Sequence, residues 1–162
     1  MPADTPVDTT AGTLDPAAIA PLDGLTQLRM MMDGRFPPPA MALTLGFAMT
    51  RAEVGEVWFE GTPTEAHLNP LGTIHAGWTM AVLDSACACA VHSTLKPGEI
   101  YTTLELKTNL VRALRPGQSA VTAHGVVIHR GGRIATAEAR MTTADGKVCA
   151  HATTTCMIMR AG

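Results

Sequence analysis

From position 76 to 92 the chain reads AGWTMAVLDSACACAVH, apolar or small at nearly every helical angle and carrying one formal charge, Asp84. That pattern predicts a helix covered by protein on nearly all sides. Ahead of it, apolar positions predict strands over residues 42–51 and 54–60; after it, strands over 101–112, 119–129, 134–143 and 148–159. Turn residues punctuate them: Lys96-Pro97-Gly98 closes the helix, and Arg115-Pro116-Gly117, Gly131-Gly132 and Asp145-Gly146 join the later strands. Residues 61–72 form a loop with Pro63 and Pro70. A short helix over residues 25–32 is stopped by Gly34 and by Pro37, Pro38 and Pro39. Its Met30, Met31 and Met32 read first as packing against the sheet, and secondly as a lid over an apolar site. The order of two strands, one buried helix and an antiparallel meander predicts an α+β layer arrangement, with the sheet curled around the helix.

Residues 1–24 lack periodicity and are expected to form a flexible tail, leaving residues 25–162 as one domain. The chain is 46% hydrophobic and 16% charged with net charge −2, a balance that argues against nucleic-acid binding. No apolar run approaches a bilayer span, and MPADTPVDTTAG has neither the basic nor the apolar region of a secretory leader. A cytoplasmic location without membrane association is expected. Cys87 and Cys89 point about 200° apart on the helix, and Cys149 and Cys156 have no partners at ligand spacing. All four read as buried, reduced thiols, and no metal site is expected.

The chemistry concentrates around the long helix. A carboxylate buried among apolar side chains is costly unless it is hydrogen-bonded or has a task. Ser85 or the backbone could satisfy Asp84; otherwise it is a base or a nucleophile. The helix start offers unpaired N–H groups at Ala76 and Gly77 and the positive end of the helix dipole, suited to a carbonyl oxygen gaining charge. Asn69 is either a turn former or orients water or the carbonyl; His75 caps or positions. Gly77 and Asp84 lie seven residues apart, about 10.5 Å along a helix axis. One carbonyl cannot reach both within a chain. If both act, a two-fold dimer with antiparallel helices must join them, producing two equivalent sites.

The segment NPLGTIHAGWTMAVLDSA, positions 69–86, resembles the PaaI-type hotdog-fold acyl-CoA thioesterase signature, Asn-x(2)-Gly-x-x-His-Gly-Gly-x(6)-Asp. The resemblance continues through Thr102-Thr103-Leu104-Glu105-Leu106, Leu114-Arg115-Pro116-Gly117, His129 to Arg133 and Asp145-Gly146-Lys147. It implies a hotdog fold, a homodimer or dimer of dimers, and metal-free hydrolysis of an acyl-CoA with no cofactor beyond the substrate's own coenzyme A. Carried over by position, Asp84 would be the catalytic carboxylate and Asn69 would position water or carbonyl. Ala76 with Gly77 would line the oxyanion site, His75 would support them, and Thr103 would help hold the water, with Thr102 as the fallback. The signature's first glycine after the histidine is Ala76 here, which keeps the N–H but narrows its approach. Arg130 and Arg133 around Gly131-Gly132, with Arg112 and Arg115, are the candidates for the phosphates of coenzyme A, and Gly132 for close passage of its pantetheine arm. Two rivals remain. A hotdog dehydratase would need a His after Asp84 at a spacing this helix lacks, and a non-catalytic acyl-CoA sensor would use the same pocket without thiol release.

Overall fold

A computed structural model describes residues 12–161. In chain order its elements are helices Pro16–Ile19 (α1), Gly24–Met32 (α2) and Ala40–Leu45 (α3) and strands Phe47–Glu53 (β1) and Glu56–Gly61 (β2). The long helix Ala76–His92 (α4) follows, then strands Glu99–Leu110 (β3), Val121–Arg130 (β4), Ile134–Thr142 (β5) and Val148–Arg160 (β6). The six strands form one antiparallel sheet in the order β1-β2-β4-β5-β6-β3, which curls about α4. This is the expected hotdog arrangement. Val82, Leu83, Ala86 and Val91 of α4 are fully buried against Val57, Val121, Ala137 and Met141 of the strands.

Burying those side chains drives the wrapping, since each fully buried Val or Leu contributes about 1.5–3 kcal/mol relative to exposure. Alternation along β5 and β6 keeps Ala135, Ala137, Ala139, Ala150 and Ala152 inward. Their small size lets the sheet approach the helix closely.

Three expectations are corrected. Residues 42–45, expected as strand, belong to α3. Pro39 is its N-cap in extended conformation, Met, Ala and Leu favour helix, and Gly46 ends it at φ 67°, where other residues are strained. The strand therefore begins at Phe47. Lys96-Pro97-Gly98 does not end α4 directly: the helix stops at His92, Ser93 caps it, and those three residues turn the chain into β3. The loop over residues 61–72 contains a 3-10 turn, Glu65–His67. Of the expected tail over residues 1–24, the first eleven lie outside the described residues. The remainder includes α1, where the carbonyl of Ala20 accepts from Gly98 N–H.

Candidate active site

His75 is the N-cap of α4, and its Nδ1 accepts from Gly77 N–H at 2.9 Å. A Cβ on residue 77 would lie 3.0 Å from that nitrogen, which explains a glycine there. The cap uses one of the two expected oxyanion donors. Ala76 N–H has no acceptor among the described residues and stays open at the positive end of the helix. His75 N–H is itself anchored on His67 O at 2.7 Å. Asn69 is engaged in its own turn: Nδ2 donates to Thr73 Oγ1, while Oδ1 accepts from the Leu71 and Thr73 N–H groups. The loop therefore holds the helix entrance in a fixed shape.

Asp84 lies halfway along α4, half-buried, and Thr103 Oγ1 of β3 donates to its Oδ1 at 3.4 Å. Thr102 points away and is exposed, so Thr103 is the strand residue that meets the carboxylate. Ser85 does not satisfy Asp84, because its hydroxyl donates to Ala81 O. No Lys, Arg or His pairs with Asp84 among the described residues. Burial raises its carboxyl above the ordinary 3.8, and the Thr103 hydrogen bond offsets part of that rise. The result is a carboxylate with one weak hydrogen bond and one free oxygen.

The surroundings of α4 depart from expectation in one respect. Gly77, Ala81, Asp84 and Ala88 fall within an arc of about 60° at 100° per residue. Of this arc Gly77, Ala81 and Asp84, with Met80 and Ser85 beside them, form the stripe the sheet leaves open, while Ala88 is buried. A helix this apolar is uncovered only where a further layer of protein could sit. The neighbouring β3 is an edge strand with a free ladder, and it exposes Leu104 and Leu110.

The four expected arginines separate into two pairs. Arg112 and Arg115 lie near the entrance of α4, where Leu114 O accepts from Ile74 N–H at 3.0 Å. Arg130 and Arg133 lie at the opposite end of the sheet, roughly 35 Å away at the rise per residue of β3. Arg130 is already paired with Glu99 at 2.6 Å, both largely buried. Arg133 is exposed and, with Gly132 and Arg160, lines a surface concavity of about 350 Å³. Open space lies above Gly132. Arg160 was missed because it closes a strand without any turn residue to single it out.

The second reading of the Met30–Met32 turn, a lid over an apolar site, matches a cavity in the structure. Met31 and Met32 of α2, Met41 and Leu43 of α3, and Met49 and Phe59 of β1 and β2 line a partly open apolar cavity of about 240 Å³ beside α4. Ser85 and Cys89 line it from the helix, one and five residues beyond Asp84. Burial pushes the Cys87 and Cys89 thiols up to about 12, as expected of unreactive reduced cysteines. No helix among the described residues is long and apolar enough to cross a membrane, and no cluster of potential metal ligands occurs among them.

The thioesterase superfamily model matches residues 71–150, which span the helix entrance, Asp84 and Thr103. A solved phenylacetic acid degradation-related protein of Ralstonia eutropha, provisionally called a thioesterase, is 31% identical. That match covers 80% of this chain and 98% of the other at a TM-score of 0.73. A Haemophilus influenzae protein provisionally called an esterase is 29% identical over 97 residues, 59% of this chain and 69% of that one. A Streptococcus mutans protein solved with acetyl-CoA shares the fold at 23% identity and a TM-score of 0.65, over 71% of this chain and 90% of the other. The chain belongs to the hotdog-fold thioesterase superfamily, a family of thioester hydrolases, alongside PaaI-related members.

Proposed function

We propose that the protein hydrolyses acyl-CoA thioesters to a free acid and coenzyme A, at two sites shared between the subunits of a homodimer. The observation that carries this reading is the uncompensated carboxylate of Asp84 on the one open stripe of α4. Ala76 N–H and Asp84 are eight residues apart, about 12 Å along the helix, so they serve different carbonyls within one chain. The small residues of the stripe allow close approach of a second α4, and the free edge of β3 offers backbone pairing beside it. An antiparallel partner would bring its own helix entrance towards Asp84.

The chemistry then follows from the groups available. Asp84 takes a proton from water with its free oxygen while Thr103 holds the other, and the resulting hydroxide attacks the thioester carbon. Ala76 N–H of the partner subunit, backed by the helix dipole, stabilises the tetrahedral oxyanion. Collapse expels the coenzyme A thiolate, which recovers the proton from Asp84. Gly77 N–H becomes a second donor when the carbonyl oxygen replaces the His75 ring. Arg133 and Arg160, which line an exposed concavity with Gly132, are the candidates for the phosphates of coenzyme A. The acetyl-CoA held by the Streptococcus mutans relative supports that ligand class. Thiol release from a panel of acyl-CoAs tests the proposal: turnover of at least one supports it, and no thiol from any, with coenzyme A still bound, would favour a sensor.

A further inference from the structure

The segment from Gly24 to Leu45 runs alongside α4 in the opposite direction and is fastened at both ends. At the C-terminal end of α4, Gly24 N–H donates to Leu95 O at 2.9 Å and Gln27 Oε1 meets His92 Nε2 at 3.0 Å. Gln27 Nε2 donates to the Ile19 and Leu22 carbonyls, so His92 Nε2 is the donor in that contact. The fit is close, since a Cβ on Gly24 would come within 1.7 Å of His92 O. At the other end of α4, Trp78 Nε1 donates to Leu45 O at 2.8 Å. Between the two fastenings the strap has no hydrogen bond to α4 among the described residues. It arches over Ser85 and Cys89 and lines the 240 Å³ cavity with methionine, proline and leucine side chains.

We infer that this cavity holds the acyl group and that the strap sets which acyl groups fit: uncharged, apolar ones of about eight to ten carbons. The inference rests on the thioesterase reading, because Asp84 fixes where the thioester carbon sits. From Asp84 to Cys89 is five residues, about 7.5 Å along the helix axis and about 140° around it, roughly 10 Å between the bases of the two side chains. An extended chain advances about 1.1–1.2 Å per bond, as a polypeptide does over its three bonds per residue, so about eight to nine bonds reach Cys89. The lining residues bring no charged side chain to the cavity; the hydroxyl of Ser85 is already donating to Ala81 O, and Cys89 acts as a small hydrophobe. An acyl group with a terminal carboxylate or hydroxyl would lose its hydration without a partner. The unbranched thioethers of Met31, Met32 and Met41 adapt to either a flexible chain or a ring, so the limit is set by length and polarity.

The test uses the wild-type protein and non-hydrolysable S-alkyl coenzyme A thioethers, with binding measured by calorimetry. From S-butyl to S-octyl, each added methylene should tighten binding about fourfold, with no gain from S-decyl to S-dodecyl. The S-(3-carboxypropyl) thioether should bind at least about tenfold more weakly than S-butyl. Met31→Gln should lower the ratio of octyl to methyl affinity about tenfold, and Met31→Leu should restore it, with thermal melting confirming that both variants fold. Affinity independent of chain length, equal binding of the carboxylated probe, or equal losses for methyl and octyl in Met31→Gln would each overturn the inference. Because no bond is broken, length-dependent binding without thiol release would leave the pocket standing and remove the hydrolase. Thiol release without length dependence would do the reverse.

Discussion

Replacing Asp84 with Asn removes a base while keeping the shape of the side chain, and its effects on rate and stability should have opposite signs. The carboxylate has one long hydrogen bond from Thr103 and no cation, and burial holds its pKa above 3.8. A raised folded-state pKa means that the protonated form favours the fold: that contribution is complete below about pH 3.8 and is lost as pH rises through the raised value. At pH 7 the ionised group therefore opposes folding. The neutral amide of Asp84→Asn would relieve this by at most about 1 kcal/mol once solvent screening of a half-exposed group is allowed for. That corresponds to a melting temperature about 2–4 °C higher. The rate should fall at least about a hundredfold, roughly 2.7 kcal/mol of transition-state stabilisation, as expected for loss of a general base. Thiol release on a cleaved acyl-CoA and thermal melts at pH 7 and pH 4 read both, and the stability gain should shrink at the lower pH. A variant that keeps more than a tenth of the wild-type rate refutes the catalytic assignment. One that melts lower at pH 7 shows that the carboxylate is held by favourable contacts, contrary to the electrostatic argument.

Thr103→Val removes the one hydrogen bond that lowers the Asp84 pKa, so the acid limb of the pH–rate profile should move to higher pH, while Thr103→Ser should leave it in place. Arg133→Gln should raise KM for acyl-CoA in a salt-sensitive way; a thioester of N-acetylcysteamine, which has no phosphates, should be unaffected, and equal effects on both would sink the assignment. Gly24→Ala forces a Cβ against His92 O and should destabilise the protein by about 3 kcal/mol in urea titration; a neutral result would mean the strap is not clamped there.

The long helix was legible because small and apolar residues filled it and Asp84 was its lone charge, although its stop signal was not, since Ser93 and not Lys96-Pro97-Gly98 caps it. Thr103 came from the family resemblance, with Thr102 as the fallback, and the contact with Asp84 falls on Thr103. The segment 42–45 was not, since Ala-Leu-Thr-Leu fits either a helical or an alternating period, and only Pro39 and Gly46 on its flanks decide it. The Met-rich turn could be read as a lid, but its fastenings could not, because they join residues far apart in the chain, Gln27 to His92 and Leu45 to Trp78. The separation of the arginines was equally hidden: turn residues mark where strands end, not which end of the sheet they occupy. The uncovered stripe escaped notice for a related reason, as a helical wheel reports how apolar a face is and nothing about what lies against it.

Mixing two inactive variants tests the shared site most directly. Ala76→Pro deletes the free N–H at the first helical position, where proline is tolerated, and Asp84→Asn deletes the base. Equal amounts, dissociated and reassociated, would give half heterodimers with one intact site each, so about one quarter of wild-type thiol release should return. Activity no higher than the average of the two parents would show that each site lies within a single chain, contradicting the account.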